Sequence, residues 1–452
     1  MGLKNAKIMF KRKIDSVLAN WKASDNRKPL VIKGCRQCGK TSSVLLFAKT
    51  NYQHVVYLDF HEHREYKDFF TSALDTDTLT LNIGMGIPSA RFVPHKTCIV
   101  FDEIQECPAA RASLKFFKLD GRYDVICTGS LLGVHGYNNR SDKGQPPASL
   151  PVGFEQVIEM YPMDFEEWLW ANGVQEQHLT YLRDCFISEQ PVNDAFHHRM
   201  RELLLKYVIV GGMPEAVATF LEHNNMGRVQ QLQRDILNTY KGDMVKYASD
   251  QDRPRIRECF ESIPAQLARD NKKFTYSLIR PGGRSAQYLG SLQWIEDAGI
   301  IRRCYNLQIT ELPLDGNAVR DCFKVYMADT GLFVSMLEEG TAWSVIKGDL
   351  HSYKGAILEN LLADIFGKMG RKLYYFQKNS GLEIDFVIRH RGECIPVECK
   401  ATSGYAKSLL TILKHPEHYH IKRGIKLGDY NVGRSGATLT LPLYMAFLLT
   451  EV

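Results

Sequence analysis

Short apolar runs alternate with amphipathic stretches through the first third of the chain. Four of the runs have the length and composition of buried strands: 29–32, 54–60, 97–102 and 123–130. Between them, the spacing of apolar residues over 42–48 and 109–119 predicts helices. Strands that alternate with helices favour a parallel sheet covered by helices on both faces. We therefore predict an α/β core over residues 1–165.

The middle of the chain has the periodicity of helices rather than strands. Residues 166–250 are predicted to be mostly helical, with Asp164 as a helix N-cap and Pro214 in a first helical turn. Residues 251–335 follow a different pattern, in which two helices precede a strand. This order is typical of a winged-helix-like segment. Tyr288, Leu289, Leu292 and Ile295 are predicted to form the inward face of its second helix.

One loop of the predicted core carries a phosphate-binding pattern. Residues 34–41 fit G-x-x-x-x-G-K-[ST] and lie between a predicted strand and a predicted helix. Backbone N–H groups of such a loop point at a phosphate, and the helix N-terminus adds a favourable partial charge. The predicted nucleotide-binding residues are Gly34, Cys35, Arg36, Gln37, Cys38, Gly39, Lys40, Thr41 and Ser42. A dinucleotide site is disfavoured, because the loop lacks G-x-G-x-x-G.

Acidic and hydroxyl residues end two later strands. Asp102 follows four apolar residues, and we expect it to hold Mg²⁺ of ATP together with the Thr41 hydroxyl. The next residue, Glu103, is the predicted general base that polarises the attacking water, while Lys40 contacts the β- and γ-phosphates. Thr128 and Ser130 end the following strand. Each either contacts the γ-phosphate or is a simple polar strand end.

Composition indicates the class of protein and its cellular environment, but not its function. The chain has 452 residues, of which 44% are hydrophobic and 24% charged, as in globular proteins. No apolar run approaches a membrane span, so no membrane contact is expected. Eleven scattered cysteines suit reduced thiols in a cytoplasm. Cys35 and Cys38 form a C-x-x-C without a second pair nearby, and we interpret them as incidental loop residues rather than zinc ligands or a redox pair.

Arginines outside the loop could complete the site. In oligomeric ATPases a neighbouring subunit often supplies an arginine. Arg140, in a Gly/Pro/Ser-rich stretch over 138–153 that predicts a loop, and Arg234 are candidates. A solvated surface arginine is the simpler interpretation of each. A homo-oligomer is therefore one hypothesis for this chain.

The winged-helix-like segment carries most of the excess positive charge. Residues 253–309 contain ten basic and five acidic residues, in a chain of net charge +6. Contact with DNA would use these residues: Arg280, Arg284, Gln287, Arg302 and Arg303. A packing or protein-binding module is an equally good interpretation, because many such folds bind no DNA.

A second set of carboxylates lies near the C-terminus. Residues 383–388 and 395–400 predict a β-hairpin whose turn is centred between Arg391 and Gly392. In that register Asp385 lies opposite Glu398, on the face that also carries Glu383 and Lys400. The facing carboxylates would repel unless a cation lay between them.

We hypothesise that the cation is a divalent metal. Asp385 and Glu398 would hold it with Glu359 from the preceding apolar helix, while Lys400 would position or activate the attacking water. The alternative is a solvated hairpin face on which Lys400 screens its neighbours.

These motifs together resemble a family of prokaryotic ATP-binding proteins in which an AAA-type P-loop domain is fused to a C-terminal domain of unknown function. The resemblance rests on these segments: 34–41, 99–105, 128–130, 161–168, 211–215 and 327–332. It extends to Glu359, Asp385, Glu398 and Lys400, a set similar to the PD-(D/E)XK nuclease signature, although Ile384 replaces its proline. The resemblance implies an AAA-type fold and a restriction-endonuclease-like domain over 336–452.

The sequence thus predicts a cytoplasmic Mg-dependent ATPase of AAA type. A winged-helix-like segment and a nuclease-like module that binds DNA would follow the ATPase core and its helical lid. Glu398 and Lys400 would be catalytic in that module. The alternative is a non-cleaving, ATP-dependent switch or scaffold that binds DNA or a protein partner.

Overall fold

The computed structural model describes residues 9–130, 151–248, 252–347, 353–400 and 404–451. They form two compact units. The first comprises Met1–Pro162 and Lys246–Ser249, and the second comprises Met163–Val245 and Asp250–Val452. Within the described ranges, no helix is long and apolar enough to cross a membrane.

The first unit is an α/β layer structure. Its elements are α1 (Lys13–Ala23), β1 (Leu30–Lys33), α2 (Lys40–Asn51), β2 (His54–Asp59), α3 (Thr76–Gly86), β3 (Thr97–Asp102), α4 (Pro108–Asp120), β4 (Asp124–Gly129) and β5 (Gln156–Glu159), with 3₁₀ turns at Arg64–Phe70 and Ile104–Glu106. The five strands form one parallel sheet in the order β2-β3-β4-β1-β5. The predicted α/β core with a parallel sheet is confirmed.

Successive residues of the central strands face opposite sides of this sheet, as strand geometry requires. Val31 packs in a core with side chains of α3 and α4, whereas Leu30 and Ile32 pack in a second core with side chains of α1 and α2. Both faces of β1 are therefore buried, which explains why the strand has a continuous apolar run instead of an alternating one.

The second unit begins with a helical part. Its helices are α5 (Phe165–Ala171), α6 (Glu176–Ser188), α7 (Asp194–Val210), α8 (Pro214–His223) and α9 (Met226–Tyr247). Asp164 caps α5 in a reciprocal capping box with Glu167, and Pro214 occupies the first turn of α8. Both sequence predictions for these residues are confirmed.

The rest of the second unit mixes helices with two sheets. Its elements are α10 (Arg253–Leu267), α11 (Ser285–Asp297), β6 (Ile301–Leu307), β7 (Ala318–Met327), α12 (Thr330–Met336), α13 (Thr341–Lys347), α14 (Lys354–Lys368), β8 (Leu373–Gln377), β9 (Glu383–Ile384), β10 (Phe386–His390), β11 (Glu393–Lys400), α15 (Lys407–Lys414), α16 (Pro416–Tyr419), β12 (Gly424–Gly428), β13 (Gly433–Ser435) and β14 (Thr438–Pro442). Shorter 3₁₀ turns lie at Tyr276–Leu278, Leu314–Asn317 and Leu443–Leu448. The sheets have the orders β7-β6-β8-β9 and β10-β11-β12-β14-β13.

A buried ion cluster ties these parts of the second unit together. The Lys368 ammonium, on α14, lies 2.7 Å from Asp364 and 3.1 Å from Asp329, which caps α12. It also donates to the Tyr207 hydroxyl of α7 and to the Met163 carbonyl. All three charged side chains are at most 2% exposed, so the cluster replaces solvation by direct pairing.

Candidate functional site

The phosphate-binding pattern lies in the loop that joins β1 to α2. Gly39 is the N-cap of α2 in the left-handed region, at φ 99°. Gly34 packs so closely that a Cβ there would lie 2.1 Å from the Met160 carbonyl oxygen. Both positions therefore require glycine, and the loop delivers the chain to a helix N-terminus that favours anions.

Lys40, the first residue of α2, is buried at the base of this loop. Its ammonium donates to the carbonyl oxygens of Gly34, at 3.0 Å, and Cys35, at 2.8 Å. The charged oxygens of a bound phosphate would be stronger acceptors for this ammonium than the two carbonyl oxygens are. The arrangement therefore holds Lys40 within the loop and leaves it able to exchange backbone for phosphate oxygens.

Asp102 ends β3 at the same edge of the sheet. Its carboxylate accepts from the Thr41 hydroxyl at 2.9 Å and from the Tyr57 hydroxyl at 2.8 Å, and it also accepts from Thr128. Burial raises the pKa of Asp102 above its usual value. A hydroxyl and a carboxylate in direct contact are hard oxygen donors, so Thr41 and Asp102 fit Mg²⁺.

Glu103 follows with an unusual backbone. Its φ of 51° and ψ of 47° lie in the left-handed region, which costs a non-glycine residue free energy. The carboxylate accepts from the Ser130 hydroxyl at 3.0 Å and from the Gln105 side-chain amide. The local strain and these two donors fix Glu103 beside Asp102.

The first unit thus brings most of the predicted nucleotide residues to one edge of its sheet. Ser42 is exposed on the first turn of α2, and Gln37 is exposed on the loop. Sequence reasoning missed Tyr57 and Gln105. The parallel register of β2 with β3 pairs Asp59 with Asp102, so the alternation along β2 was the signal that could have found Tyr57.

The C-terminal hairpin has the predicted register. Phe386 pairs with Val397 and His390 with Glu393, around a turn in which Arg391 and Gly392 both have positive φ. This is the geometry of a tight two-residue hairpin turn. The same register places Asp385, in the break between β9 and β10, opposite Glu398.

Two of the carboxylates around this hairpin are buried, and Asp385 and Glu383 are partly buried, so the alternative of a solvated hairpin face is wrong. Glu359 is 7% and Glu398 5% exposed, and Asp385 accepts from the Cys399 backbone N–H at 2.7 Å. Burial, followed by the charges of Glu359 and Glu398, raises the pKa of Asp385 well above its usual value. The face carries a cluster of acidic groups that are buried or partly buried.

Lysines supply the positive charge that a divalent metal was expected to supply. The Lys272 ammonium lies 2.8 Å from Glu359, that of Lys324 lies 2.6 Å from Glu383 and 3.6 Å from Glu359, and that of Lys400 lies 2.6 Å from Glu398. Burial opposes ionisation of Glu359, but Lys324 and Lys272 outweigh it and lower its pKa.

Of the expected metal ligands, Glu359 and Glu398 pair with lysines in this arrangement, and Asp385 accepts from a backbone N–H. A metal held by the three residues stays a prediction. Across the ranges described above, no group of three or more His, Cys, Asp or Glu residues could hold an ion. Fully buried Lys324 lies among the carboxylates and compensates the charges of Glu359 and Glu383, with which it pairs. A lysine within the otherwise apolar end of β7 was the available sequence signal.

Two side-chain orientations in the basic segment differ from expectation. Leu289 is 47% exposed and does not belong to the inward face of α11, whereas Tyr288, Leu292 and Ile295 are buried. Arg303 is turned inward, where its guanidinium pairs with Glu296.

The remaining basic residues lie differently. Arg280, Arg284 and Gln287 are exposed near the start of α11, and Arg302 is half-buried. Of the arginines proposed to complete the site, Arg234 lies 3.8 Å from the carboxylate of Glu339. Arg140 lies outside the described residues.

Comparison with protein families gives three matches along the chain. Residues 26–169 match an AAA domain. Residues 201–342 match a domain of unknown function, DUF8612, and residues 354–444 match another, DUF4143. No curated protein sequence matches the chain.

Solved structures similar to this chain share little sequence with it. A Walker-type ATPase of Pyrococcus abyssi has 15% identity and a TM-score of 0.42, with 73% of this chain and 96% of that chain covered. The Aeropyrum pernix ORC1 protein, solved in complex with DNA, has 12% identity and a TM-score of 0.29, with 77% and 95% covered. C. elegans PCH-2 has 15% identity and a TM-score of 0.20, with 37% and 44% covered.

The AAA-domain match coincides with the unit that holds the phosphate loop. Lys40, Thr41 and Asp102 all lie within the matched residues 26–169. The match and the geometry of the site together support an ATPase of the AAA/P-loop type.

Proposed function

We propose that the chain hydrolyses ATP with Mg²⁺ at the loop between β1 and α2. The observation that carries this proposal is the contact between the Thr41 hydroxyl and the Asp102 carboxylate, because Thr41 directly follows Lys40, whose ammonium is held within the phosphate loop. Phosphate recognition and oxygen ligands for Mg²⁺ thereby meet at one edge of a parallel sheet.

Each residue has a separate part in the proposed reaction. Backbone N–H groups of the loop and the Lys40 ammonium bind the phosphates and stabilise charge that develops on them. Thr41 and Asp102 would hold Mg²⁺, which would neutralise phosphate charge. Glu103, oriented by Ser130 and Gln105, accepts a proton from the attacking water.

The test is ATP turnover by the full chain with Lys40→Ala. We expect a loss of about a hundredfold or more, because a charge that stabilises the transition state is removed. Lys49→Ala, an exposed lysine on the same helix, is the matched control and should retain turnover. Equal turnover by wild type and Lys40→Ala, with both folded by circular dichroism, would contradict the proposal.

The second unit has two candidate roles. A metal-dependent nuclease is supported by the register that places Asp385 opposite Glu398 with Lys400 beside it. The lysines that pair with these carboxylates favour the other role, a non-cleaving switch or scaffold driven by ATP. We propose the switch.

DNA incubated with Mg²⁺ or Mn²⁺, with and without ATP, separates the two roles. Cleavage that is lost in Asp385→Ala and Lys400→Ala would overturn the switch and favour the nuclease. Cleavage that is absent, or equal in wild type and both variants, supports it.

The exposed basic residues near the start of α11 favour nucleic acid as one partner of such a switch. We propose that Arg280 and Arg284 contact phosphates, since both are exposed and lie beside a helix N-terminus. Replacing each by glutamate should weaken DNA binding and reduce its dependence on salt. Arg257→Glu, on the exposed side of α10, is the matched control. No DNA binding by wild type would point to a protein partner instead.

A further inference from the structure

Two cysteines occupy the first and fourth positions of a turn in the phosphate loop. Arg36 and Gln37 are its central residues, and Gln37 has a φ of 63°. A β-turn brings the Cα atoms of its first and fourth residues within about 7 Å. Disulfides span Cα separations of about 4.4–6.8 Å. Cys35 and Cys38 are therefore placed within reach of a bond to each other.

The surroundings of the two sulfur atoms favour reaction at Cys38. Both side chains are buried in one core, and the Lys40 ammonium lies 3.9 Å from the Cys38 sulfur. A hydrogen bond from Cys35, and less strongly the charges of Lys40 and Arg12, outweigh burial and lower the pKa of Cys38 to about 6. These contacts favour ionisation of the Cys38 thiol, and the Cys35 thiol lies beside it, as in redox-active pairs.

Other buried cysteines of the same unit have the opposite environment. Burial raises the pKa of Cys98, Cys107 and Cys127, so their thiols stay protonated and unreactive. The reactive character belongs to the loop that contacts the nucleotide, and not to buried cysteines in general. This contrast departs from the interpretation of Cys35 and Cys38 as incidental loop residues.

We propose that Cys35 and Cys38 are an oxidation site at which a peroxide forms a disulfide that closes the phosphate loop to nucleotide. The effect on nucleotide rests on the proposed ATP site. In the first step the Cys38 thiolate attacks one peroxide oxygen, the O–O bond breaks and hydroxide leaves, which gives a sulfenic acid. The Cys35 thiol then attacks that sulfur, the S–O bond breaks, and its proton leaves with the hydroxyl as water. The pair loses two electrons, and the peroxide gains them.

The disulfide would change the part of the loop that binds phosphate. An S–S bond of about 2.05 Å is much shorter than a contact between thiols, so the turn must tighten around Arg36 and Gln37. Their N–H groups lie inside the bridged turn and would shift with it. Conversely, a nucleotide seated in the loop should hold the turn in its unbridged form and slow formation of the disulfide.

The experiment oxidises the full chain with hydrogen peroxide, with and without a non-hydrolysable ATP analogue. Remaining thiols are alkylated, and the mass of the peptide that contains Cys35 and Cys38 is measured by mass spectrometry. We expect this peptide to carry no alkyl group and to have lost two hydrogen atoms. The ATP analogue should prevent this oxidation, and dithiothreitol should reverse it. Nucleotide affinity and turnover should fall about tenfold or more and recover on reduction, because small displacements of positioning groups are costly.

Each variant is compared with itself before and after oxidation. Cys35→Ser and Cys38→Ser should lose the reversible response, while Cys107→Ser should keep it. Two free thiols in the wild-type peptide after peroxide treatment would overturn the proposal, as would a disulfide that leaves nucleotide affinity unchanged. The peptide mass is independent of turnover, so a chain that forms the disulfide but binds no nucleotide would refute the ATP site and the closing effect, but not the oxidation site.

Discussion

Replacing Lys368 by methionine should severely destabilise the second unit. The change removes an ammonium that lies 2.7 Å from Asp364 and 3.1 Å from Asp329, while the apolar stem is retained. Removal of one partner from a buried ion pair costs about 3–5 kcal/mol, because the other charge stays buried. Tyr207 and the Met163 carbonyl lose a donor as well. We therefore expect a loss of about 3–5 kcal/mol in the free energy of unfolding.

Urea unfolding followed by circular dichroism measures this loss. The matched control is Lys372→Met, which breaks an exposed ion pair with Asp315 at 3.2 Å and should cost less than about 1 kcal/mol. Adding Asp364→Asn to Lys368→Met should recover part of the loss, since it removes one of the stranded charges. A loss below about 1 kcal/mol for Lys368→Met would refute the view that these buried carboxylates depend on pairing with the ammonium.

Two other predictions concern the same region. Burial raises the pKa of Asp364 to about 6, against about 3.9 in an unfolded chain. A raised folded-state pKa gives stability that is full below pH 4 and is lost as pH rises through 6. The free energy of unfolding should therefore fall by up to about 3 kcal/mol over that window, and less in Asp364→Asn. Gly212→Ala should lower the unfolding midpoint much more than Gly242→Ala does, because its Cβ would lie 1.9 Å from the Met163 carbonyl oxygen, whereas that of Gly242 meets open space.

The geometry of the proposed nucleotide site was predictable from the sequence because it is local. Gly34, Lys40 and Thr41 are fixed by a strand, a tight loop and a helix that follow one another in the chain. Asp102 could be added because parallel strands end at one edge of a sheet. Tyr57 was not found, because its role depends on the pairing of β2 with β3 rather than on a motif.

The carboxylate cluster at the C-terminal hairpin was only partly predictable from the sequence. The hairpin register followed from the turn at Arg391 and Gly392, and it was confirmed. The hairpin alone could not identify the cations near its carboxylates, since Lys272 and Lys324 come from segments more than fifty residues before it. Only tertiary packing brings these lysines to Glu359. The hairpin pattern shows that facing carboxylates need a nearby cation, but it does not show whether the cation is a metal ion or a lysine.

The position of Lys272 has a consequence for binding at α11. This lysine lies in the chain between α10 and α11, the stretch that leads to the exposed Arg280 and Arg284. A ligand that draws this stretch outward would also withdraw the ammonium from Glu359 and leave a buried carboxylate less compensated. Ligand binding near α11 would then weaken the ion pair at Glu359, and the ion pair would weaken ligand binding by the same free energy, because linkage is reciprocal. The ion pair between Lys272 and Glu359 would therefore oppose ligand binding that displaces the chain between α10 and α11.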